Sequence, residues 1–427
     1  MHSGRSLALP VALALVACEK LPQVPVVTEP QPFRASTEVW SGSAVTITSP
    51  AFAGAASLPA VLLDELPLDA QRIDDTTLIA PVPDTPGAHS LRVVASNVIP
   101  TAVVVHLRGF VEHVEGPLLS GRVEPGRDPR YLFGSGPTSL RRWNIATNKA
   151  VDLADSVHAV SCTRGVGPGP NVGELVLLTG GCAAGTWMVW RTEPLAPLID
   201  TTSATTNDFV AVLRTGRWVV LDGGTFSVVA CNPGQACAAE VIPGLIGTDV
   251  VRSAGRDRAA LTGGPAGGGL SSGVPVVDVD VGSVSYRVPA LTTATGAAFS
   301  HGGDTLFLTG DSAGAPALVA VHARDGQRMA SRALGYAPCA VAVDTTRRWL
   351  YVAGVTTAPA APRSVLQVFD RGTMNPITTL HVTAALTYGN QLCRIQQNPL
   401  ARRLYVVETS AGEVAAPAQI FSFDTPR

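Results

Sequence analysis

The sequence has few charged residues and almost no lysine. Charged residues make up 15% of the 427-residue chain, whereas about a quarter is usual in globular domains. Only two lysines occur, Lys20 and Lys149, and the formal net charge is -2. This balance offers no positively charged surface for a nucleic acid, so we expect no nucleic-acid partner. Hydrophobic residues reach 46%, which favours a large buried core over disorder.

Long apolar stripes with helical spacing are absent as well, which argues against a helical fold. The 42 glycines and 33 prolines are spread along the chain at the ends of short apolar segments. That distribution is typical of an all-β protein with many turns. Because the chain exceeds the size of an ordinary single domain, we expect two domains.

The N-terminus carries a short export signal. Arg5 is followed by an apolar run from Leu7 to Ala17, which is too short to span a bilayer and is typical of a signal peptide. The run ends in Leu15-Val16-Ala17-Cys18, which resembles the lipobox of bacterial lipoproteins. The resemblance implies that residues 1–17 are removed and that lipids on Cys18 anchor the protein to a membrane. An ordinary signal peptide with a chance cysteine is the alternative.

Residues 18–32 are rich in proline and are predicted to form an extended tether. From residue 33 to residue 107 the pattern changes to six or seven short strands, which predicts a small β-sandwich. The segment RIDDTTLIAPVPDTPGAHSLRVVASN resembles the IPT/TIG family of Ig-like domains. That resemblance implies a spacer or interaction module and not a catalyst. The matching residues are Asp75, Thr76, Leu78, Ala80, Val82, Pro83, Pro86, Gly87, Val94 and Asn97.

Residues 108–427 repeat with a period of about 40–50 residues. Each unit contains an apolar strand that ends in a small residue and glycine, except that the last unit has Glu408 there. One strand precedes this marker strand and two follow it, so the pattern predicts a β-propeller of seven four-stranded blades. The marker positions are Gly134, Gly180, Gly223, Gly263, Gly310, Gly354 and Glu408.

The segment from Ala337 to Leu380 resembles the YVTN-type β-propeller repeat. That family includes lactonase-like propellers and cell-surface proteins, so the resemblance implies the fold more firmly than any activity. The chain ends on a third strand, Ala418 to Arg427, with no fourth strand after it. We therefore predict that Gly109 to Leu119 supplies the outer strand of the last blade and closes the ring.

Six cysteines remain after Cys18, and an even number in an exported protein suggests disulfide bonds. Three pairs are predicted: the first flanks the turn sequence NPGQA, the second occupies matching places in two consecutive repeats, and the third is formed by the two cysteines that remain. Free buried thiols are the alternative for each pair. No C-x-x-C spacing, zinc-ligand spacing or haem-attachment motif occurs, so we expect no bound metal and no cofactor. In the same order, the pairs are Cys231–Cys237, Cys339–Cys393 and Cys162–Cys182.

Five polar residues on or near the first strands of the repeats are candidates for a ligand site at the mouth of the propeller channel. A carboxylate with histidine and arginine could polarise an ester carbonyl or hold a metal. Propeller channels also need polar linings for structural reasons alone, which is the simpler interpretation. No catalytic residue is therefore assigned. The candidates are His301, Asp304, Asn390, Arg394 and Asp208.

Together these patterns predict a lipoprotein of the bacterial cell envelope that faces the periplasm or the cell exterior. We expect a monomer that acts as a non-enzymatic binding or scaffold module for a protein, peptide or glycan. The reason is that the sequence has a clear repeat pattern but no recognisable group of catalytic residues. A lactonase-like or other metal-assisted hydrolase, with its site at the propeller channel, is the alternative.

Overall fold

The computed structural model describes the chain between residues 29 and 426, with gaps in the repeat region. Residues 1–28 lie outside it, and with them the predicted signal peptide and Cys18. In part of the repeat region only the backbone is described. The described ranges are 29–55, 57–114, 123–124, 130–135, 140–144, 147, 149–153, 163–168, 174–179, 186–192, 195–202, 207–212, 217–222, 225–230, 238–246, 249–253, 258–262, 273–289, 291–344, 348–356, 364–381, 391–398, 402–410 and 419–426.

The N-terminal part is a sandwich of two β-sheets. One sheet has five strands in the order β2-β9-β8-β4-β5, and the other has four in the order β1-β3-β7-β6. A short 3-10 helix spans Pro50–Gly54. The strands are β1 (Arg34–Ala35), β2 (Glu38–Trp40), β3 (Ala44–Thr48), β4 (Ala60–Leu63), β5 (Leu66–Leu68), β6 (Gln71–Arg72), β7 (Thr77–Pro81), β8 (Gly87–Val94) and β9 (Ala102–Arg108).

The sandwich forms because its strands alternate apolar and polar residues. In β3, Val45 and Ile47 are buried while their neighbours are exposed. Leu91 and Val93 of β8 are buried from the opposite sheet, so the two apolar faces share one core. Backbone contacts with this unit begin at Gln31, inside the segment predicted as a tether, where the Gln31 N–H donates to the Asn97 carbonyl.

The repeat region (residues 110–426) contains seven four-stranded antiparallel sheets within the described residues. The first four sheets, each in chain order, are formed by the following strands. The first has β11 (Val123–Glu124), β12 (Tyr131–Ser135), β13 (Leu140–Asn144) and β14 (Lys149–Leu153); the second has β15 (Thr163–Pro168), β16 (Glu174–Thr179), β17 (Thr186–Thr192) and β18 (Leu195–Thr202). The third has β19 (Asn207–Val212), β20 (Arg217–Asp222), β21 (Thr225–Ala230) and β22 (Ala238–Ile246); the fourth has β23 (Asp249–Arg252), β24 (Arg258–Thr262), β25 (Val274–Asp278) and β26 (Ser283–Val288).

The last three sheets follow the same plan, with one exception. The seventh sheet takes its outer strand, β10 (Phe110–Val114), from before the first sheet. The fifth sheet has β27 (Thr293–Phe299), β28 (Thr305–Ser312), β29 (Ala315–His322) and β30 (Arg328–Ala333). The sixth has β31 (Ala337–Val343), β32 (Trp349–Val355), β33 (Ser364–Asp370) and β34 (Pro376–His381); the seventh has β35 (Gln391–Asn398), β36 (Arg403–Ser410) and β37 (Gln419–Asp424) with β10.

The seven marker strands of the sequence all become the second strand of a sheet. In the fifth sheet, residues 306–310 of β28 are buried without interruption, because both faces of the sheet are covered. Leu306 and Leu308 pack toward the fourth sheet, whereas Phe307 packs toward the sixth. Burial of each such side chain contributes about 1.5–3 kcal/mol. From β11 to β35, the first strand of each sheet contacts the first strand of the next.

The small residues at the marker positions have a steric cause. A Cβ on Gly354 would overlap the ring of Tyr336 and the carbonyl of Ala337, and a Cβ on Gly310 would overlap the carbonyl of Thr293. In both cases the obstruction comes from the end of the strand that pairs with the marker strand. Glycine therefore permits the close approach of two strands at this point in the repeat.

The segment before the first sheet pairs with the last strand of the chain. Strand β10 runs antiparallel to β37, with Phe110 opposite Phe423 and Val114 opposite Ile420. The rings of Phe110 and Phe423 lie edge to face at 5.7 Å. The Asp424 N–H also donates to the Gly109 carbonyl at 2.8 Å. The two ends of the repeat region are thus joined in one sheet.

The sandwich contributes a side chain to the core of the repeat region. Trp40 of β2 is 2% exposed and belongs to the cluster formed by the sixth and seventh sheets, with Tyr351 and Phe423 among its members. The Thr378 hydroxyl donates to the Ser41 carbonyl at 2.9 Å in a buried setting. The sandwich therefore packs directly against the sixth and seventh sheets.

Ion pairs surround this shared core. Glu38 accepts from Arg108 at 2.7 Å and from Arg402 at 2.6 Å. Asp424 accepts from Arg403 at 3.0 Å, and Arg108 lies 3.6 Å from its other oxygen. The Glu38 side chain is only 11% exposed, so these charges are screened far less than surface pairs.

Candidate functional site

Two of the five predicted site residues, His301 and Asp304, lie together. Both are exposed in the turn between β27 and β28, where the Ser300 carbonyl accepts from Gly303 and the Ser300 hydroxyl accepts from the Thr305 N–H at 3.0 Å. This turn lines a cleft between the fifth and sixth sheets.

The other three predicted site residues stay untested. Asn390 lies outside the described residues. Arg394 is in β35, opposite Val407, and Asp208 is in β19, but only the backbone of these two is described. Asn390 precedes the first strand of its sheet in sequence, whereas His301 and Asp304 follow the first strand of theirs. Convergence of all five on one channel mouth therefore remains a prediction.

The cleft has a volume of about 910 Å³. Its floor is apolar and comes from both sheets: Phe307 and Ala320 from the fifth, and Met374 from the sixth, are all less than 5% exposed. Met329 lies on the lining at 50% exposure. A cleft of this size, with an apolar floor and a few polar groups on its lining, is typical of binding sites.

The polar groups on the sixth-sheet side are two arginines. Arg348 precedes β32, and its Nε donates to Asp370 Oδ2 at 2.9 Å. Arg371 follows β33 and is half-buried, and its backbone N–H donates to the Arg348 carbonyl at 2.7 Å. Within the described part of the chain, the Arg371 guanidinium has no hydrogen bond and no ion pair.

Asp370 organises the turn that carries Arg371 and Met374. Its Oδ1 accepts from the Gly372 N–H at 3.0 Å, the Thr373 N–H at 2.8 Å and the Thr373 hydroxyl at 3.0 Å. Burial raises the pKa of Asp370, but the hydrogen bonds from Thr373 and the charge of Arg348 outweigh burial and hold the pKa below its ordinary value of 3.8. The carboxylate is therefore ionised at neutral pH.

Sequence reasoning missed Arg348, Arg371 and Met374. All three follow turn signals: Arg348 stands in DTTRRW and the other two in FDRGTMN. The turn between the first and second strands and the turn between the third and fourth strands emerge at the same end of an antiparallel sheet. A comparison of the turns at the equivalent end of two consecutive repeats would therefore have placed these residues beside His301.

The cysteines are only partly described. Cys339 of β31 is half-buried and disulfide-bonded. Cys393 lies in β35, which contacts β31 of the preceding sheet, but its side chain is not described, so the Cys339–Cys393 pairing remains a prediction. The four other cysteines lie outside the described residues: Cys162, Cys182, Cys231 and Cys237.

Among the described residues, no three side chains of the His, Cys, Asp and Glu types are grouped as a metal site would require. In the same part of the chain, no helix has the length and apolarity needed to cross a membrane.

Comparisons with known proteins identify the fold. No family model matches the sequence, and no curated protein matches it. The structure is similar to the β-propeller domain of Myceliophteria thermophila Cps50 (Swd1), with a TM-score of 0.55 and 10% identity over 74% of this chain and 99% of that one. It is also similar to U3-55K, with a TM-score of 0.53 and 9% identity over 73% and 98%. The chain is thus an all-β protein with a β-propeller fold.

Proposed function

We propose that this protein is a non-enzymatic binding or scaffold protein of the bacterial cell envelope that holds its partner at the cleft between the fifth and sixth sheets. The observation that carries the proposal is the cleft itself. It joins a buried apolar floor to Arg371, a half-buried residue whose guanidinium has no acidic partner among the described residues, a combination suited to recognition. A binding or scaffold role also fits the β-propeller fold.

The architecture of the proposed protein has seven blades and an Ig-like sandwich. Seven four-stranded sheets with consecutive contacts between their first strands support seven blades. Pairing of β10 with β37 supports closure of the ring by this strand, and a two-sheet sandwich of nine short strands supports an Ig-like domain. A disulfide bond between Cys339 and Cys393 would tie the sixth blade to the seventh.

Anchorage is proposed from the sequence of the N-terminus. The lipobox-like Leu15-Val16-Ala17-Cys18 places the lipid on Cys18, and the proline-rich segment after it would hold the folded part away from the membrane. A Cys18→Ser variant should lose lipid labelling and membrane association. Unchanged association of this variant with the membrane fraction would overturn the anchor.

A metal-assisted hydrolase is the second candidate, and the proximity of His301 and Asp304 on one turn favours it. Metal analysis of the purified protein, together with a panel of esters and lactones, separates the two candidates. We expect no turnover above background. Stoichiometric metal with turnover that His301→Ala abolishes would establish the hydrolase instead.

A further inference from the structure

We infer that the cleft between the fifth and sixth sheets binds an acidic peptide segment of a partner protein, with an apolar side chain on the floor and a neighbouring carboxylate on Arg371. This inference rests on the proposed binding function and adds the chemical class of the ligand.

The floor fits an apolar side chain. Phe307, Ala320 and Met374 form a buried apolar surface from two sheets, and Met329 stands at 50% exposure beside it. Methionine side chains are unbranched and polarisable, so they adapt to aliphatic or aromatic side chains of a ligand. Covering an exposed methionine adds further apolar burial to the complex.

The charge on the lining fits a carboxylate. Arg348 is already paired with Asp370 at 2.9 Å, whereas Arg371 has no side-chain partner within the described residues. A guanidinium offers five donors in a planar fork that matches a carboxylate with two parallel hydrogen bonds. His301 lies on the same lining and adds a further donor. Asp304, the one carboxylate on the described lining, disfavours a ligand with acidic groups along its whole length.

The cleft is preorganised. Arg332 of β30 donates to Asn375 at 3.0 Å and so links the two sheets beside the cleft. Met374 adopts a left-handed backbone conformation, with a φ of 55°, and its N–H donates to the Asp370 carbonyl at 2.8 Å. A non-glycine residue keeps such a conformation only where its surroundings fix it. With this backbone conformation, the Met374 side chain lies on the floor of the cleft.

A peptide fits this lining better than a glycan does. An exposed aromatic face would offer a sugar ring an apolar surface on which to stack. Phe307 is the one aromatic residue on the described lining, and it is 3% exposed. The cleft therefore offers buried apolar volume for a side chain and no exposed aromatic surface for a sugar ring.

Selection from a random peptide display library on the purified mature protein tests the inference. Selected peptides are synthesised, and their affinities are measured by fluorescence anisotropy for the wild type, Arg371→Glu, Ala330→Trp and Arg72→Glu. Ala330 is an exposed residue of the cleft lining, so tryptophan there should obstruct the cleft without disturbing the core. Arg72 is an exposed arginine of β6 in the sandwich and serves as the matched control.

We expect peptides that combine Asp or Glu with Leu, Met or Phe. Both cleft variants should weaken their binding by at least about tenfold, and the control should not. Basic or neutral peptides that Ala330→Trp blocks would refute the acidic ligand and leave the binding function standing. Acidic glycans that compete at the cleft, in place of peptides, would refute the peptide in the same way. The absence of any ligand that Ala330→Trp blocks would refute the binding function at this cleft as well.

Discussion

Trp40 lies edge to face against Trp349, with the ring centroids 5.5 Å apart. The first residue belongs to the sandwich and the second to the sixth sheet of the propeller. Tyr351 completes the contact, with its ring centroid 5.9 Å from that of Trp40. The resemblance to IPT/TIG domains implies a spacer or interaction module, but a spacer need not contribute a buried tryptophan to its neighbour's core. The sandwich thus contributes a side chain to the core between the sixth and seventh sheets.

Replacement of Trp40 by alanine should destabilise the propeller as well as the sandwich. The side chain is 2% exposed, and removal of a buried aromatic residue costs about 3–5 kcal/mol. Denaturant unfolding should be followed by near-ultraviolet circular dichroism and, separately, by hydrogen exchange of the β32 and β36 amides. Both units should unfold at a lower denaturant concentration than in the wild type.

The control for this variant is Leu66→Ala in the same sandwich. Leu66 is 69% exposed, so its removal should change stability by no more than about 0.5 kcal/mol. A Trp40→Ala protein whose propeller amides exchange at the wild-type rate would contradict the shared core.

Glu38 is the acidic centre of the junction between the two units. Glu38→Gln keeps the shape of the side chain but leaves Arg108 and Arg402 without their shared carboxylate. We expect a loss of about 2–3 kcal/mol, because removal of one partner leaves partly buried charges uncompensated. Urea unfolding measures the loss.

An exposed pair in the same sandwich provides the comparison. Glu65 accepts from Arg92 at 2.7 Å, but its side chain is 67% exposed. Glu65→Gln should therefore cost less than about 1 kcal/mol. Equal losses from the two variants would show that burial of the Glu38 pairs has no energetic consequence.

Local patterns in the sequence predict most of the propeller, but of the residues that line the cleft they single out only His301 and Asp304. The run LFLTG lies within β28. A continuous apolar run that ends in glycine is a local pattern, so the residues of the run itself are enough to predict the strand. Placement of Arg371 and Met374 beside His301 depends on how two sheets pack, which no single repeat encodes. Trp40 shows the same limit. Its strand is evident in EVWSG, whereas its contact with Trp349 joins residues far apart in the chain.

The marker glycines should resist substitution wherever the pairing strand approaches them closely. In Gly354→Ala, the added Cβ would overlap the Tyr336 ring and the Ala337 carbonyl. We expect a loss of about 1–3 kcal/mol from the forced shift of the paired strands, measured as a lower midpoint of thermal unfolding.

Gly335→Ala is the matched control, because no atom lies within 4 Å of its added Cβ. This second variant should leave stability unchanged or raise it by up to about 1 kcal/mol. If both variants behave alike, the steric explanation of the marker glycines is wrong.

The acid-side stability of the cleft should depend on Asp370. The pKa of Asp370 in the folded protein lies below its ordinary value of 3.8, so its carboxylate contributes stability that is fully present above that value. The contribution is lost as the pH falls through the lower folded pKa. We expect Asp370→Asn to cost about 1–2 kcal/mol at neutral pH, because the turn at residues 370–374 loses a charged acceptor.

Urea midpoints measured from neutral to acidic pH test this dependence. The gap between the wild type and Asp370→Asn should stay constant at neutral pH and close toward the acid limit, as the wild-type carboxylate becomes protonated. Asp75→Asn, an exposed substitution in the sandwich, should follow the wild type throughout. A gap that persists unchanged into acid would mean that the charge on Asp370 does not hold this turn, and hence that Arg371 and Met374 are positioned by something else.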